Sequence, residues 1–145
     1  MTRITILGAG FAALRAIREL RRRNVAADIT VIAPKDNFTY LPSLIWMPSG
    51  VRKAEDLVLP LAGFFAKNRV SFHRAMVEGV SEDGRTVSTS AGPIPNDALI
   101  IASGGRFIRK LPGIEHALIP CEGVESGRAI HDRLAAMKGG TIALG

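Results

Sequence analysis

The stretch Ile4-Thr5-Ile6-Leu7-Gly8-Ala9-Gly10-Phe11-Ala12-Ala13 decides the fold. Ile4–Leu7 is a short apolar, β-branched run of the kind that forms a buried strand. Two glycines follow at once, and from about Phe11 to Arg23 the apolar residues recur at helical spacing, with Asn24 as a left-handed cap. A second strand, Ile29-Thr30-Val31-Ile32-Ala33, ends at Pro34. Strand, glycine turn, helix and strand in about 30 residues make a βαβ unit, whose strands are parallel and whose crossover is right-handed.

Gly8-Ala9-Gly10-Phe11-Ala12-Ala13 fits the pattern G-x-G-x-x-G/A. Gly8 permits the tight turn, Gly10 lets the backbone approach a pyrophosphate, and Ala13 keeps helix and strand close. The helix N-terminus adds N–H groups and positive dipole. Glycines can also serve a tight turn and nothing more. Here, however, the pattern follows a strand and opens a helix, which is the context a dinucleotide site requires. One piece is absent. The acidic residue expected for a ribose hydroxyl at the end of the second strand is Ala33, followed by Pro34 and Lys35. Whether Lys35 meets a phosphate there or backbone groups hold the ribose is left open, and Asp36 lies further into the turn.

Farther along, Pro34 to Gly50 is loop-like and carries Phe38, Tyr40, Pro42, Trp46 and Pro48. Long loops bearing bulky apolar groups pack on a ligand or a partner domain. Pro60 fits the first turn of a short helix through Phe64 and Phe65. Val70-Ser71-Phe72 reads as a third strand. From Met76 to Ser90 the period becomes two, with Glu82-Asp83-Gly84 as a hairpin turn. A buried strand, Ala98 to Ala102, runs into Ser103-Gly104-Gly105, and a helix from Glu122 to about Met137 is closed by Gly139-Gly140. Thr141 to Leu144 has the pattern of one more strand. The expected architecture is α/β, a Rossmann-like domain with a parallel sheet and a small antiparallel β-meander at about 76–97.

Composition bounds the function. The 145 residues carry 19 Lys+Arg against 13 Asp+Glu, a net charge of +6, and are 47% hydrophobic. That apolar content excludes a disordered chain, and a single cysteine, Cys121, excludes an internal disulfide. No apolar run reaches the roughly 20 residues of a membrane span, and the N-terminus enters a strand with no room for a signal peptide. The excess charge concentrates in Arg15, Arg18, Arg21, Arg22 and Arg23. It reads as a solvated helix face with cations in the last turn, and no aromatic residues interleave to stack bases. Nucleic acid is therefore not an expected partner, while a basic face on anionic lipid is left open. His73, His116 and His131 have no metal-ligand spacing, so no metal is expected, and no serine sits in G-x-S-x-G.

The order of these elements resembles the FAD-binding domain of the pyridine nucleotide-disulfide oxidoreductase superfamily. The meander between the second and last strands separates it from a simple nicotinamide-binding domain. Ala102-Ser103-Gly104 is similar to the superfamily's A-T-G motif, with serine for threonine. Within that group the chain is most similar to sulfide:quinone oxidoreductases. Val31 to Phe38 leading into Tyr40-Leu41-Pro42-Ser43, then Trp46 and Gly50, and Cys121 before a helix carry the likeness.

The resemblance implies FAD held at Gly8, Gly10, Phe11, Ala12, Ala13, Ala33, Pro34, Lys35, Pro42, Val77, Ala102, Ser103 and Gly104. It implies Cys121 as one of two redox cysteines, capturing sulfide as a persulfide while electrons pass through FAD to quinone. Pro120 and the helix start at Glu122 place this thiol at a helix N-terminus, with Glu122 opposing its ionisation. The likeness covers only the first part of such an enzyme. Residues 1–140 read as an incomplete FAD-binding domain and 141–145 as the first strand of a second dinucleotide-binding domain. The partner cysteine is expected beyond this chain, and the fragment is expected to be inactive alone. The whole protein is expected in the cytoplasm, with room for attachment to the cytoplasmic membrane surface through its remaining part. No thiol near Ser103 offers a covalent flavin link, and the C-x-x-x-x-C disulfide of glutathione-reductase relatives is missing. Two other readings stay open: a type II NADH dehydrogenase, which has no need of Cys121, and a non-catalytic dinucleotide-binding module.

Overall fold

The computed structural model describes residues 1–143. In chain order its elements are β1 (Thr2–Leu7), α1 (Phe11–Arg22), β2 (Ala27–Ala33), β3 (Asn37–Thr39), a 3-10 turn at Leu41–Trp46, α2 (Ala54–Leu57), β4 (Val58–Pro60), α3 (Ala62–Lys67), β5 (Val70–Arg74), β6 (Val77–Val80), β7 (Thr86–Thr89), β8 (Ile94–Pro95), β9 (Ala98–Ile101), 3-10 turns at Ile114–His116 and Pro120–Glu122, and α4 (Val124–Ala136). The residues group into two compact units. One holds 1–38 and 60–105, the other 39–59 and 106–145.

The first unit is built on a four-stranded sheet ordered β5-β2-β1-β9. All three pairings are parallel, with Ile4 opposite Ile29 and Ala98, and Ile29 opposite Val70. The α/β, Rossmann-like architecture expected from the glycine turn is thus formed, and β6, β7 and β8 make the small antiparallel meander beside it. Alternation along the strands separates two cores. Ile4, Ile6, Ile29, Val31 and Val70 pack with Ala13 and Ile17 of α1 and with Phe65 of α3, and Phe65 stacks on Phe72 at 5.4 Å. Leu7 and Ile32 pack on the other side with Ala75 and Val87. Strands buried on both faces require this near-continuous apolar composition.

The basic stretch of α1 is resolved by its partners. Glu19 lies within ion-pair distance of Arg15, Arg22 and Arg23, at 3.8, 2.6 and 2.6 Å, and these hydrogen bonds lower its carboxyl to about 2. Arg21 does not belong to a solvated face. Its guanidinium donates to the carbonyls of Asn68, Arg69, Val25 and Ala27, at 2.8 to 3.3 Å. It therefore caps backbone groups at the start of both β2 and β5. Asn24 adopts φ 55°, the left-handed turn expected of it.

Several sequence-based boundaries shift. Pro60 closes β4 and is not the first residue of a helix, because α3 starts only at Ala62. The presumed loop from 34 to 50 contains β3 and a 3-10 turn whose Leu44 is fully buried. The last helix begins at Val124, after an extended Gly123 (φ 148°) that no other residue type adopts easily. Residues 141–143 form no strand, and the remainder of the strand expected there, Leu144, lies outside the described residues.

In the second unit, Leu44, Met47, Ala54 and Leu57 form the core with Val124 against them. A Cβ at Gly127 would lie 3.0 Å from Cβ and 3.1 Å from the sulfur of Met47, so only glycine lets α4 seat at this depth.

Beside β9 a polar lock fixes the register of the sheet. The Arg3 guanidinium and its N–H hold the Asp97 carboxylate at 2.8 to 3.2 Å, and the Asp97 N–H returns to the Arg3 carbonyl at 2.9 Å. These bonds push the Asp97 carboxyl well below its ordinary 3.8. A depressed carboxyl contributes stability above its unfolded value and loses it as pH falls through its folded one. Urea unfolding of Asp97→Asn should therefore show a deficit at pH 7 that persists down to pH 4 and shrinks below it. An unchanged deficit at pH 2 would mean the charge has no part in it.

Candidate functional site

The carboxyl ends of β1, β2 and β9 bring the sequence-predicted residues of the first unit to one edge of the sheet. β1 is flanked by β2 on one side and β9 on the other, so the strand order reverses direction here. Ligands of open α/β sheets bind in the crevice at such a switch point. The Gly8 N–H donates to the Ile32 carbonyl at 2.8 Å and the Ala102 N–H to the Leu7 carbonyl at 2.9 Å. Gly8, Ala33 and Ala102 thereby become neighbours, with Ala33 and Ala102 buried and Pro34, Lys35, Ser103 and Gly104 exposed around them.

The two glycines of the turn do different things. Gly8 has φ 102°, and a Cβ on it would overlap the Ala102 carbonyl oxygen and lie 2.9 Å from the carbonyl carbon. Its smallness serves the fold. Gly10 has an ordinary φ of −88° and caps α1 from an extended conformation. Nothing lies within 4 Å of a Cβ placed on it. Its bareness therefore serves whatever approaches from outside. No side chain caps α1, its first turn carries no carboxylate, and Arg21 and Arg22 stand at the opposite end. The helix thus presents uncompensated positive potential at Gly10 to Ala13, suited to an anion. Phe11, half-exposed, meets buried Phe38 edge-on at 4.7 Å, which holds the mouth of the turn against the end of β2.

Val77 belongs to the same unit. The Ala75 N–H donates to the Ala33 carbonyl at 3.2 Å, which starts the meander next to the end of β2. A further pair was not foreseen: the Arg74 guanidinium meets the Asp36 carboxylate at 2.8 Å. The third strand reads from sequence as ending at Phe72, but β5 continues to Arg74, opposite Ala33. The Phe72-His73-Arg74 run, with an apolar residue two before the arginine, was the available signal.

Pro42 and Cys121 belong to the second unit. Pro42 opens the 3-10 turn at Leu41–Trp46. Cys121 is half-buried in the 3-10 turn Pro120–Glu122, and α4 starts at Val124 after Gly123. Cys121 consequently precedes the N-cap by two residues and is not at the helix N-terminus expected for it. Glu122 is countered by Arg109, whose Nε donates at 3.0 Å and whose Nη2 also reaches the carboxylate. That contact lowers the Glu122 carboxyl and raises the Arg109 guanidinium. Sequence reasoning set Glu122 against ionisation of the thiol and missed Arg109, 13 residues away, which neutralises it. Among the described residues, no group of three His, Cys, Asp or Glu could hold a metal ion, and no helix is long and apolar enough to cross a membrane.

The division of labour between the glycines is measurable. Gly8→Ala should destabilise the chain by about 1–3 kcal/mol through backbone strain and displacement of β9. Gly10→Ala should change stability by less than about 0.5 kcal/mol, as at an unconstrained surface position. Equal losses in urea unfolding would refute the distinction.

Known proteins share this chain's sequence pattern and fold. A family model described as pyridine nucleotide-disulphide oxidoreductase matches residues 2–141. The sulfide-quinone reductase of Aquifex aeolicus is 29% identical over 113 residues, 77% of this chain and 26% of that protein. Its crystal structure superposes with a TM-score of 0.85 at 26% identity, over 93% of this chain and 32% of that one. The nitric oxide reductase FlRd-NAD(+) reductase of Klebsiella pneumoniae is 32% identical over 96% of this chain and 39% of its own length. The type II NADH:quinone oxidoreductase of Staphylococcus aureus is 30% identical over 78% and 28%. The chain thus spans between about a quarter and two-fifths of these relatives. With a family match over nearly its whole length and a glycine turn at the switch point of a parallel sheet, the chain belongs to the pyridine nucleotide-disulphide oxidoreductase family.

Proposed function

We propose that this chain is the FAD-binding part of an oxidoreductase that oxidises sulfide and passes the electrons to quinone. The observation that carries the flavin reading is the bare Gly10 at an uncapped, acid-free helix N-terminus. A diphosphate needs that combination, since its two charges require N–H donors and close backbone approach. Gly8 shapes the turn, the amides of Ala12 and Ala13 face the diphosphate, and Ala33, Pro34 and Lys35 border the adenosine side. Ala102, Ser103 and Gly104 lie along the cofactor, with Val77 and Pro42 as further contacts. Bound there, FAD supplies the two-electron chemistry, and the protein supplies placement and electrostatics. In this reading residues 1–140 belong to the FAD-binding domain and 141–145 open a second dinucleotide-binding domain.

The sulfide reading rests on Cys121, on the likeness to the Aquifex reductase, and on the Arg109–Glu122 pair that removes net negative charge beside the thiol. The step balances through a disulfide between Cys121 and a second cysteine beyond this chain: hydrosulfide would attack the Cys121 sulfur, the S–S bond would break, Cys121 would keep the sulfide sulfur as a persulfide and the partner would leave as a thiolate, and FAD would take up two electrons as thiolate and persulfide rejoin. Quinones dissolve in the bilayer, so the whole protein would work at the cytoplasmic membrane surface, held there by parts outside this chain.

Two measurements test the proposal. Gly10→Ala in the full-length protein should weaken FAD binding at least about tenfold, a loss of about 1.4 kcal/mol, while leaving the fold intact. Anaerobic sulfide should bleach the flavin absorbance of the full-length enzyme, and Cys121→Ser should abolish the bleaching. Bleaching by NADH instead, with Cys121→Ser without effect, would replace the sulfide reading by the type II NADH dehydrogenase one.

A further inference from the structure

Residues of the second unit that the flavin chemistry does not use border an open pocket of about 460 Å³. That volume falls within the roughly 300–1,000 Å³ of small-molecule sites. Met47 and Ala54, both buried, supply apolar lining. Around it stand Arg52 and Lys53, which precede α2, together with Glu55 of α2 and Arg128, His131 and Asp132 of α4. Positions 128, 131 and 132 are three and four apart, so α4 turns them out on one side.

The charges are unevenly satisfied. Arg128 and Glu55 approach only to 3.8 Å, too far for a hydrogen bond. The Arg52 guanidinium makes no hydrogen bond or ion pair with any described residue, and neither Lys53 nor Asp132 forms an ion pair among them. Three cations, Arg52, Lys53 and Arg128, therefore line the space with two carboxylates, Glu55 and Asp132. The imidazole is held in place: its Nδ1 lies 3.3 Å from the Pro48 carbonyl oxygen, which leaves Nε2 for other contacts. Gly50, at φ 74°, passes so close that a Cβ there would sit 3.2 Å from the ring. Backbone and glycine thus fix a titratable ring in the wall of an apolar-lined space with surplus positive charge.

We infer that this cavity binds a small organic oxyanion, a phosphate or carboxylate, with Arg52, Lys53 and Arg128 taking the charged group and Met47 and Ala54 its apolar part. Arg52 and Arg128 provide the planar donor forks that suit such groups. The site is independent of the glycine turn and of Cys121.

The test is a titration of the isotope-labelled full-length protein with phenyl phosphate and with inorganic phosphate at constant ionic strength, followed by NMR. The His131 Cε1–H and Arg52 Nε–H resonances should shift saturably, and phenyl phosphate should bind several-fold tighter because its ring reaches the apolar lining. Arg52→Gln and Arg128→Gln should each weaken binding about tenfold, and Arg23→Gln, just past the end of α1, should not. Arg52 lies outside every helix and strand, so its variant keeps the experiment interpretable even where the α4 variant fails to fold. Shifts that rise linearly without saturation, shifts confined to Gly8–Ala13, or wild-type affinity in Arg52→Gln would each overturn the inference.

Discussion

The first unit depends on one steric constraint: β1 must turn into α1 directly beneath the backbone of Ala102. Gly8 donates its N–H to β2 through Ile32 while its Cα faces the Ala102 carbonyl of the segment leaving β9. A single residue without a side chain is thus pinned between the two neighbours of the central strand. A methyl group there would have to displace backbone, which close-packed interiors resist. The same contact brings the carboxyl ends of β1, β2 and β9 together, and so builds the crevice as a by-product of closing the sheet.

Part of the charge in this chain serves its architecture. Glu19 gathers Arg15 and Arg22 of α1 and Arg23 just past its end, Arg21 binds four backbone carbonyls, and Arg3 locks Asp97 beside β9. The exposed pairs contribute little each, because solvent screens them. What they fix is register and the entry points of strands. In the second unit, Arg52, Lys53 and Arg128 line one cavity with loose or absent counter-ions.

The legibility of the site followed its sequence range. The glycine turn was readable because its function is local: turn, backbone approach and helix N-terminus are all set by six consecutive residues. Ala102-Ser103-Gly104 was readable only through resemblance, since nothing in those residues says that they will lie against Gly8. The setting of Cys121 was misread by two residues, because a helix start after Pro120 is plausible by propensity. Gly123 at φ 148° inserts a break that moves the N-cap past the thiol. Arg109 beside Glu122 and Arg74 beside Asp36 were invisible, because each pairing joins residues more than a dozen apart by way of a loop or a sheet register.

By itself, the sequence determined the βαβ unit with its glycine turn, the parallel sheet and the meander. Hydrophobic period, glycine conformational freedom and turn chemistry are short-range properties, and they act before the chain is packed. The sequence pattern separated the turn glycine Gly8 from the approach glycine Gly10, and tertiary structure added what stands over each: the Ala102 carbonyl over Gly8 and nothing within 4 Å of a Cβ on Gly10. Tertiary structure likewise decided which arginines face solvent, which are consumed by carbonyls, and which converge on Met47 and Ala54. A side chain's partners across the fold are set by strand register and helix seating, and no window of neighbouring residues contains that information.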